Sequence, residues 1–551
     1  MTLRGTGPRG PRPTRSNCSM FQNSLLRIVG MKAGRPESLV LLLGLCFVMP
    51  ALFCWSPYLD QVRDWQIPVT IVCVALAAQN LSSLDSLLGH GGRKLPVALL
   101  ILPLTVGLLC SCLFHYWSFS LNAIDFSIFD TALHNTGDGR TMFSSIYSDY
   151  VLATHSFFLL FPLALLHGVF PSPYLLIVTH AIVIAGSGLC LFLLARKYLN
   201  SDLFALIVVW SFISSPWVGR IANYGFHPEV FYLLFGFLFA LGWKSKNYRL
   251  WILSYVGYLC IKEDAALYML MLGLGVILLC REHRRAGIAI FFVSLAFFVL
   301  NTAFMMPHYR SLNALPMPVS MRFWAEDGGS SISDAVTYLI QRPWATIAHI
   351  FSSKWLSLLG PLLLLPLYSR PTVFPTLGII ALLGSSSSDL MREYAVYYSA
   401  PLLPFVFWGV LEGATNILRL LPVKGQVLWV RSLCAILLVS PLFSSGSIRY
   451  PMPDFQGVSD VNYAGNLLLS DPSAHVLVQG SILPHIPYTV KCAVLSRQSL
   501  DLNADYLLAN PEWDPYPEDR QWIATVIESR EHWLDAQMHR SGLVILRKGG
   551  R

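Results

Sequence analysis

The chain has 551 residues, of which 54% are hydrophobic and only 13% charged, with a formal net charge of +8. A soluble globular chain carries roughly 25% charged residues, so a water-soluble globule is excluded: too little polar surface remains to cover it. The positive balance does not make a nucleic-acid face either. The basic residues fall in short clusters between apolar runs, the pattern that the positive-inside rule describes.

In chain order, residues 1–37 form a basic tail rich in Pro and Gly, read as disordered and cytoplasmic. A cleaved secretory signal would have its apolar core nearer the start, so none is expected here. Ser38–Trp55 reads as a retained first span, and about Ile67–Ala78 as the second. Pro96–Trp117 holds no Asp, Glu, Lys or Arg and is long enough to cross a hydrocarbon core of about 30 Å. It leads into an acidic outer loop at 118–156. The run Phe157–Phe170 is short and contains Pro162 and His167, so it is read as re-entrant or interfacial, not as a span. Tyr174–Ala195 crosses next. Further spans follow at about 203–220, 229–243, 250–261, 264–281, 286–306, 356–369, 371–387, 396–416 and 429–445.

Thirteen spans result, with basic turns such as Arg196-Lys197, Lys244–Arg249 and Arg281–Arg285 inside. The expected architecture is an α-helical polytopic membrane domain over 38–445 and a small extracytoplasmic α/β domain over 446–551. In that last part, 475–479, 493–495, 505–508 and 542–546 read as short strands, and Pro517–Gln537 as a helix. The N-terminus is expected in the cytoplasm and the chain in the cell's inner membrane.

Four motifs collect on the outer side. Asp125 and Asp130 lie in the first large outer loop, where Asp125 could cap a helix whose Phe126, Phe129 and Leu133 lie flat in the interface. Their bland role is solvation and capping. His155 precedes the next apolar run, and a lone interfacial histidine is more often structural. Phe226-His227-Pro228-Glu229 places a carboxylate at a helix start, which the helix dipole alone would explain. Lys262-Glu263-Asp264 is the sharpest signal from physics, because ionisable groups at membrane depth are costly and face protein or water. Its bland reading is a polar surface turn. Arg322, Arg342, Lys354 and Arg392 are outer cations suited to phosphate or to lipid headgroups. No cysteine or histidine pattern marks a metal site, although paired acids could hold a divalent ion.

The combination of Asp125-Phe-Ser-Ile-Phe-Asp130, His155, Phe226-His-Pro-Glu229, Lys262-Glu-Asp264 and Tyr397-Tyr398-Ser-Ala-Pro resembles a bacterial family of predicted membrane proteins of unknown function. This sequence departs from the expected pattern at Tyr397, where a histidine is expected. That family is similar to the GT-C superfamily of membrane glycosyltransferases. The resemblance implies a polyprenyl-phosphate-linked sugar as donor, an unidentified acceptor, no required cofactor, and a catalytic acid in the first outer loop. Asp125 would then be the general base, with Asp130 as a second candidate. His155, His227, Glu229, Lys262, Glu263, Asp264, Arg392 and Tyr398 would line the substrate pocket, the lipid phosphate lying near Lys262 or an outer arginine. The alternatives are a transporter or lipid flippase, or a non-catalytic scaffold.

Overall fold

The computed structural model describes residues 94–146, 148–199, 201–313, 337, 340–386, 388–439, 448–471, 473–500, 502–530, 535–539 and 541–548. The basic tail, the two spans expected at 38–55 and 67–78, and Arg322 lie outside these residues. The described part is mostly helical. Its main helices are α1 Lys94–Trp117, α2 Ala123–Gly137, α3 Leu160–Val169, α4 Tyr174–Leu199, α5 Asp202–Ile213, α6 Pro216–Tyr224, α7 Phe231–Ser245, α8 Tyr248–Leu259 and α9 Asp264–Leu279. There follow α10 Arg284–Leu300, α11 Met306–Asn313, α12 Pro343–Ser352, α13 Val373–Gly384, α14 Leu403–Leu420, α15 Val423–Val439, α16 Phe455–Leu469 and α17 Arg520–Ser529.

Among the described residues, two continuous helical stretches, Tyr174–Leu199 and Arg281–Leu312, are long and apolar enough to cross a membrane. A third span results if α5 and α6 count together, for they bend by 54° at their junction. Ser215 causes that break: its hydroxyl accepts the Val218 N–H and starts a new helix with Pro216 in the first turn. The described residues do not confirm thirteen regular spans: the other apolar helices named among them, such as Asp264–Leu279 and Val373–Gly384, are 10–17 residues long. The span expected at 356–369 is broken into single turns at Trp355–Leu359, Gly360–Leu362 and Leu365–Tyr368. Leu363 and Leu364 between them take left-handed backbone conformations, which a regular helix cannot hold.

The helices nonetheless run back and forth between two chemically distinct ends. At one end Arg196 pairs with Asp202, Lys244 sits 3.7 Å above the Tyr198 ring, Tyr198 donates to Glu412, and Trp243 meets His283 edge-on. At the other end Trp117 donates to the Tyr174 hydroxyl, Asp125 meets Tyr224, and Glu229 meets Lys262. Thus α4, α7 and α9 run from the second end toward the first, and α8 runs back. α3 starts and finishes at the second end: Leu159 N–H donates to Cys260 C=O, and His167 contacts Tyr488 and Asp130. Its ten residues span about 15 Å, so the non-spanning reading of 157–170 fits this path.

The outer flank of the bundle is apolar. Phe292, Val293, Val299, Leu300 and Phe304 on the α10–α11 stretch are exposed, as are Ile252, Leu253 and Val256 on α8. Contiguous exposed apolar surface of this kind faces lipid or a partner rather than water. Helix backbones approach closely at α9 and α10, where a Cβ on Gly273 would stand 2.7 Å from Phe291 N and 2.9 Å from Gly287 O. Small residues at such crossings are how helices pack where no hydrophobic drive separates them from lipid.

Residues from 475 onward fold as an α/β unit with a five-stranded sheet. Its strands are β3 His475–Val478, β4 Lys491–Val494, β5 Tyr506–Ala509, β6 Asp535–Met538 and β7 Val544–Arg547, after a short hairpin of β1 Phe143–Ser144 and β2 Asp149–Tyr150. The order is β4-β3-β5-β7-β6; β3 is parallel to both neighbours and β7 antiparallel to both of its own. The strands expected from sequence are present within a residue or two. The helix expected over 517–537 is shorter, α17, and its last residues form β6 instead: alternating charge serves an exposed helix face and an edge strand alike.

This unit docks on the end of α1 and on the following loop. Phe119 stacks on Trp513 at 3.7 Å and Tyr116 on His485 at 4.1 Å. His485 is also bonded to the Tyr116 carbonyl at 3.2 Å. Burial pushes the His485 imidazole down to about 3, so it is neutral in this joint.

Candidate functional site

α2 carries the first motif. Asn122, not Asp125, caps it by accepting the Asp125 N–H, which leaves the Asp125 carboxylate free to point elsewhere. The apolar stripe Phe126, Phe129 and Leu133 is fully buried and faces protein rather than an interface. Phe129 meets Phe157, Phe226 and His227 edge-on. The amphipathic pattern is the same for either environment; here the neighbouring segments supply the apolar partner.

With its helix anchored, Asp125 accepts a hydrogen bond from Tyr224 Oη at 2.5 Å. Burial raises its pKa, opposed by the Tyr224 hydrogen bond and by His155 nearby. His155 Nδ1 lies 2.8 Å from Glu263 Oε1, and the other Glu263 oxygen accepts the Ser156 N–H at 3.0 Å. Burial alone would raise Glu263; His155, Lys262 and the Ser156 N–H outweigh it and bring it down to about 2. Glu263 is thereby a fixed anion that orients an imidazole.

Lys262 Nζ donates to Glu229 Oε1 at 2.6 Å and lies 3.8 Å from Asp264 Oδ2. Tyr232 and Tyr268 donate to the two oxygens of Asp264, Tyr268 at 2.9 Å. Burial disfavours the Lys262 charge, but Glu229, Asp264 and Glu263 more than restore it. Glu229 is only 2% exposed, so its carboxylate meets the Lys262 ammonium away from water. One ammonium among three carboxylates leaves the group short of positive charge. Lys262 is thus committed to protein anions and is a poor partner for a further phosphate.

His227 begins the short 3-10 turn Pro228–Val230, accepting the Glu229 N–H at 3.4 Å. Its ring stacks on Tyr397 at 3.6 Å and 7°. The tyrosine that stands where a histidine is expected therefore lays a phenol ring against His227. Tyr397 also meets Tyr224 and Tyr398, at 5.0 and 4.7 Å. Tyr398 lies within the electrostatic reach of Glu229, Lys262 and Asp125.

Asp125, His155, His227, Glu229, Lys262, Glu263, Asp264 and Tyr398 therefore come together from five separate stretches of chain. Two expected residues do not join them. Asp130 faces the α/β unit: Tyr488 donates to it at 2.9 Å, and His167 lies 3.5 Å away. Arg392 is held by Asp389 and by His349, at 2.9 Å, in a cleft of about 380 Å³ with Lys354 and Glu393. Among the described residues, no group of three or more His, Cys, Asp and Glu side chains is placed to hold a metal ion.

Four residues of this region escaped the sequence reading. Tyr268 stands four residues after Asp264 on one helix, a spacing that places both on the same face. Tyr224 and Tyr232 flank the Phe226–Glu229 motif. Arg310, on α11, donates its Nε to the Ala153 carbonyl at 2.8 Å, two residues before His155. No local pattern in the sequence singles it out.

A family model described as "Predicted membrane protein (DUF2079)" matches residues 115–542. No curated protein matches the chain.

Proposed function

We propose that this chain, which belongs to the DUF2079 family of predicted membrane proteins, is a multi-pass membrane glycosyltransferase that takes a sugar from a polyprenyl-phosphate donor. The observation that carries the reading is the Asp125 carboxylate. It is held by Tyr224 and shares one polar cluster with the His155–Glu263 pair and the Lys262 network. The Asp125, His155–Glu263 and Lys262 cluster lies at one end of the bundle rather than in its middle. That favours chemistry at a membrane face over the midplane site of an alternating-access carrier. The opposite end carries Arg196 and Lys244, which by the positive-inside rule supports a reading with the cluster and the α/β unit on the extracytoplasmic side.

In this scheme an acceptor hydroxyl attacks the anomeric carbon of the donor sugar. Its proton passes to Asp125, the new carbon–oxygen bond forms, and the bond from that carbon to the phosphate oxygen breaks with inversion. The electron pair leaves with the polyprenyl phosphate. Burial raises the proton affinity of Asp125, which improves a carboxylate as a general base near neutral pH. His155, fixed by Glu263, orients the acceptor. The leaving phosphate is assigned to Arg310: it is bonded through Nε, its terminal nitrogens are suited to a phosphate fork, and it follows the exposed apolar stretch of α10.

The test is transfer by the purified full chain in lipid nanodiscs, with radiolabelled polyprenyl-phosphate sugars and a membrane extract as acceptor source. Labelled product is expected from wild type, with at least a hundredfold loss in Asp125→Asn. Undiminished transfer by that variant would remove Asp125 from the mechanism.

A further inference from the structure

The α/β unit does more than rest on the membrane part. A Cβ placed on Gly480, in the turn after β3, would stand 2.4 Å from the Tyr516 carbonyl oxygen and 3.3 Å from Ile124 Cγ1. The Tyr516 backbone and Ile124, the residue immediately before Asp125, therefore both border Gly480. Several bonds hold that backbone there. Gln479 Nε2 donates to the Asp514 carbonyl at 2.9 Å, Gln479 Oε1 accepts the Asn510 N–H at 2.7 Å, and Trp513 is stacked on Phe119. The Tyr516 backbone is thus fixed while its side chain is left outside the core, the residue being 57% exposed. Burial, then the Asp125 and Asp514 carboxylates, push its phenol up, so the ring lies within the field of Asp125.

An exposed aromatic ring on a rigid loop beside a buried carboxylate is what a sugar needs. The ring face covers the C–H face of a pyranose or furanose, and the carboxylate takes up a hydroxyl. Asp125 must stand within a hydrogen bond of the attacking hydroxyl. The sugar under attack therefore lies within a few ångströms of Asp125, whose chain neighbour Ile124 shares the surroundings of Gly480 with Tyr516.

We infer that Tyr516 is the stacking platform for the transferred sugar, so that the α/β unit completes the substrate site through the loop that, like Ile124, borders Gly480. This rests on the glycosyltransferase reading and adds to it a division of labour. Arg310 binds the lipid phosphate, and Tyr516 binds the sugar.

The experiment measures binding of three probes to the full chain in detergent micelles: undecaprenyl phosphate, undecaprenyl-phosphate glucose and undecaprenyl-phosphate arabinose. Wild type is expected to bind one of the two glycolipids more tightly than the bare phosphate. Tyr516→Ala is expected to weaken that glycolipid roughly five- to tenfold, the scale of one aromatic contact, and to leave undecaprenyl phosphate unchanged. Tyr516→Phe should keep the affinity, because the ring remains. The side chain is exposed, so the melting temperature of both variants should match wild type. If wild type prefers a glycolipid and Tyr516→Ala keeps that preference in full, the platform is wrong and the transferase reading stands. If wild type binds neither glycolipid better than the bare phosphate, the transferase reading falls, and the role of Tyr516 with it.

Discussion

His155 Nδ1 and Glu263 Oε1 lie 2.8 Å apart across 108 residues of sequence, and the second Glu263 oxygen is bonded to the Ser156 N–H. The carboxylate thus holds both the imidazole and the backbone that carries it. Removing it leaves a donor and an imidazole without their partner at a mostly buried position. Glu263→Ala is expected to cost about 2–4 kcal/mol. The pH dependence has a definite sign. Glu263 is depressed to about 2, below its unfolded value of roughly 4.3. Its stabilising contribution is complete above that unfolded value and is lost as pH falls toward 2. The gap in melting temperature between wild type and Glu263→Gln should therefore narrow as pH falls through this window. A gap that stays constant down to pH 2.5 would disprove the pairing.

Tyr224 tunes Asp125. Its hydrogen bond stabilises the carboxylate and opposes the burial that raises the group. Under the transferase reading, the acidic limb of the pH–rate profile reports Asp125 and should lie above the ordinary aspartate range. Tyr224→Phe deletes the bond, so the limb should move to higher pH, with the plateau rate reduced by less than tenfold. A shift in the opposite direction, measured as kcat/KM against pH, would rule out Asp125 as the titrating base.

How much of this was legible in the sequence follows from what each residue must satisfy alone. Arg196, Lys244 and Arg281 had to leave the apolar layer, and Glu229 and Lys262 had to find partners, so two opposed polar ends could be read from charge. That Asp125, His155, Glu229 and Lys262 share one cluster could not, because it depends on α2 being swallowed by Phe157 and Phe226 rather than floating in the interface. Asp130 looked equivalent to Asp125, yet five residues along a helix turn it to another side, toward Tyr488. The break at Leu363–Leu364 was hidden because a leucine-rich run has the same hydropathy whether straight or broken. Its Gly360-Pro361 and Pro366 were the available signs.

The crossing of α9 and α10 tests the bundle apart from any chemistry. A methyl group on Gly273 would stand 2.7 Å from Phe291 N and 2.9 Å from Gly287 O, both backbone atoms that a rotamer change cannot move. Gly273→Ala should therefore destabilise the fold by about 1–3 kcal/mol. Gly168→Ala, where nothing lies within 4 Å of the new atom, is the matched control and should be close to neutral. Thermal melts in detergent that rank the two variants equally would contradict the close approach.

The joint between α2 and the α/β unit carries the last prediction. Tyr488 donates to Asp130 at 2.9 Å, lies 3.2 Å from His167 Nε2, and stacks on His134 at 4.2 Å. One phenol therefore joins the sheet-bearing unit to both α2 and α3. Asp130 and His167 are almost fully buried, so removing the hydroxyl strands a carboxylate oxygen away from water. Tyr488→Phe keeps the stacking and loses only the hydrogen bonds, for an expected cost of about 1–3 kcal/mol at the joint. Tyr488→Ala loses both. Because one apolar face of the sheet is packed wholly within the unit and the other mostly so, with Phe119 entering it from the membrane part, loosening the Tyr488 joint need not unfold it. Hydrogen exchange should then rise at 123–137 and 160–169 in Tyr488→Ala while amides in β3 and β5 stay protected. Exchange that rises equally in the sheet would mean that the unit depends on the joint for its own stability. Unchanged exchange in α2 and α3 would mean that Tyr488 does not hold the two parts together.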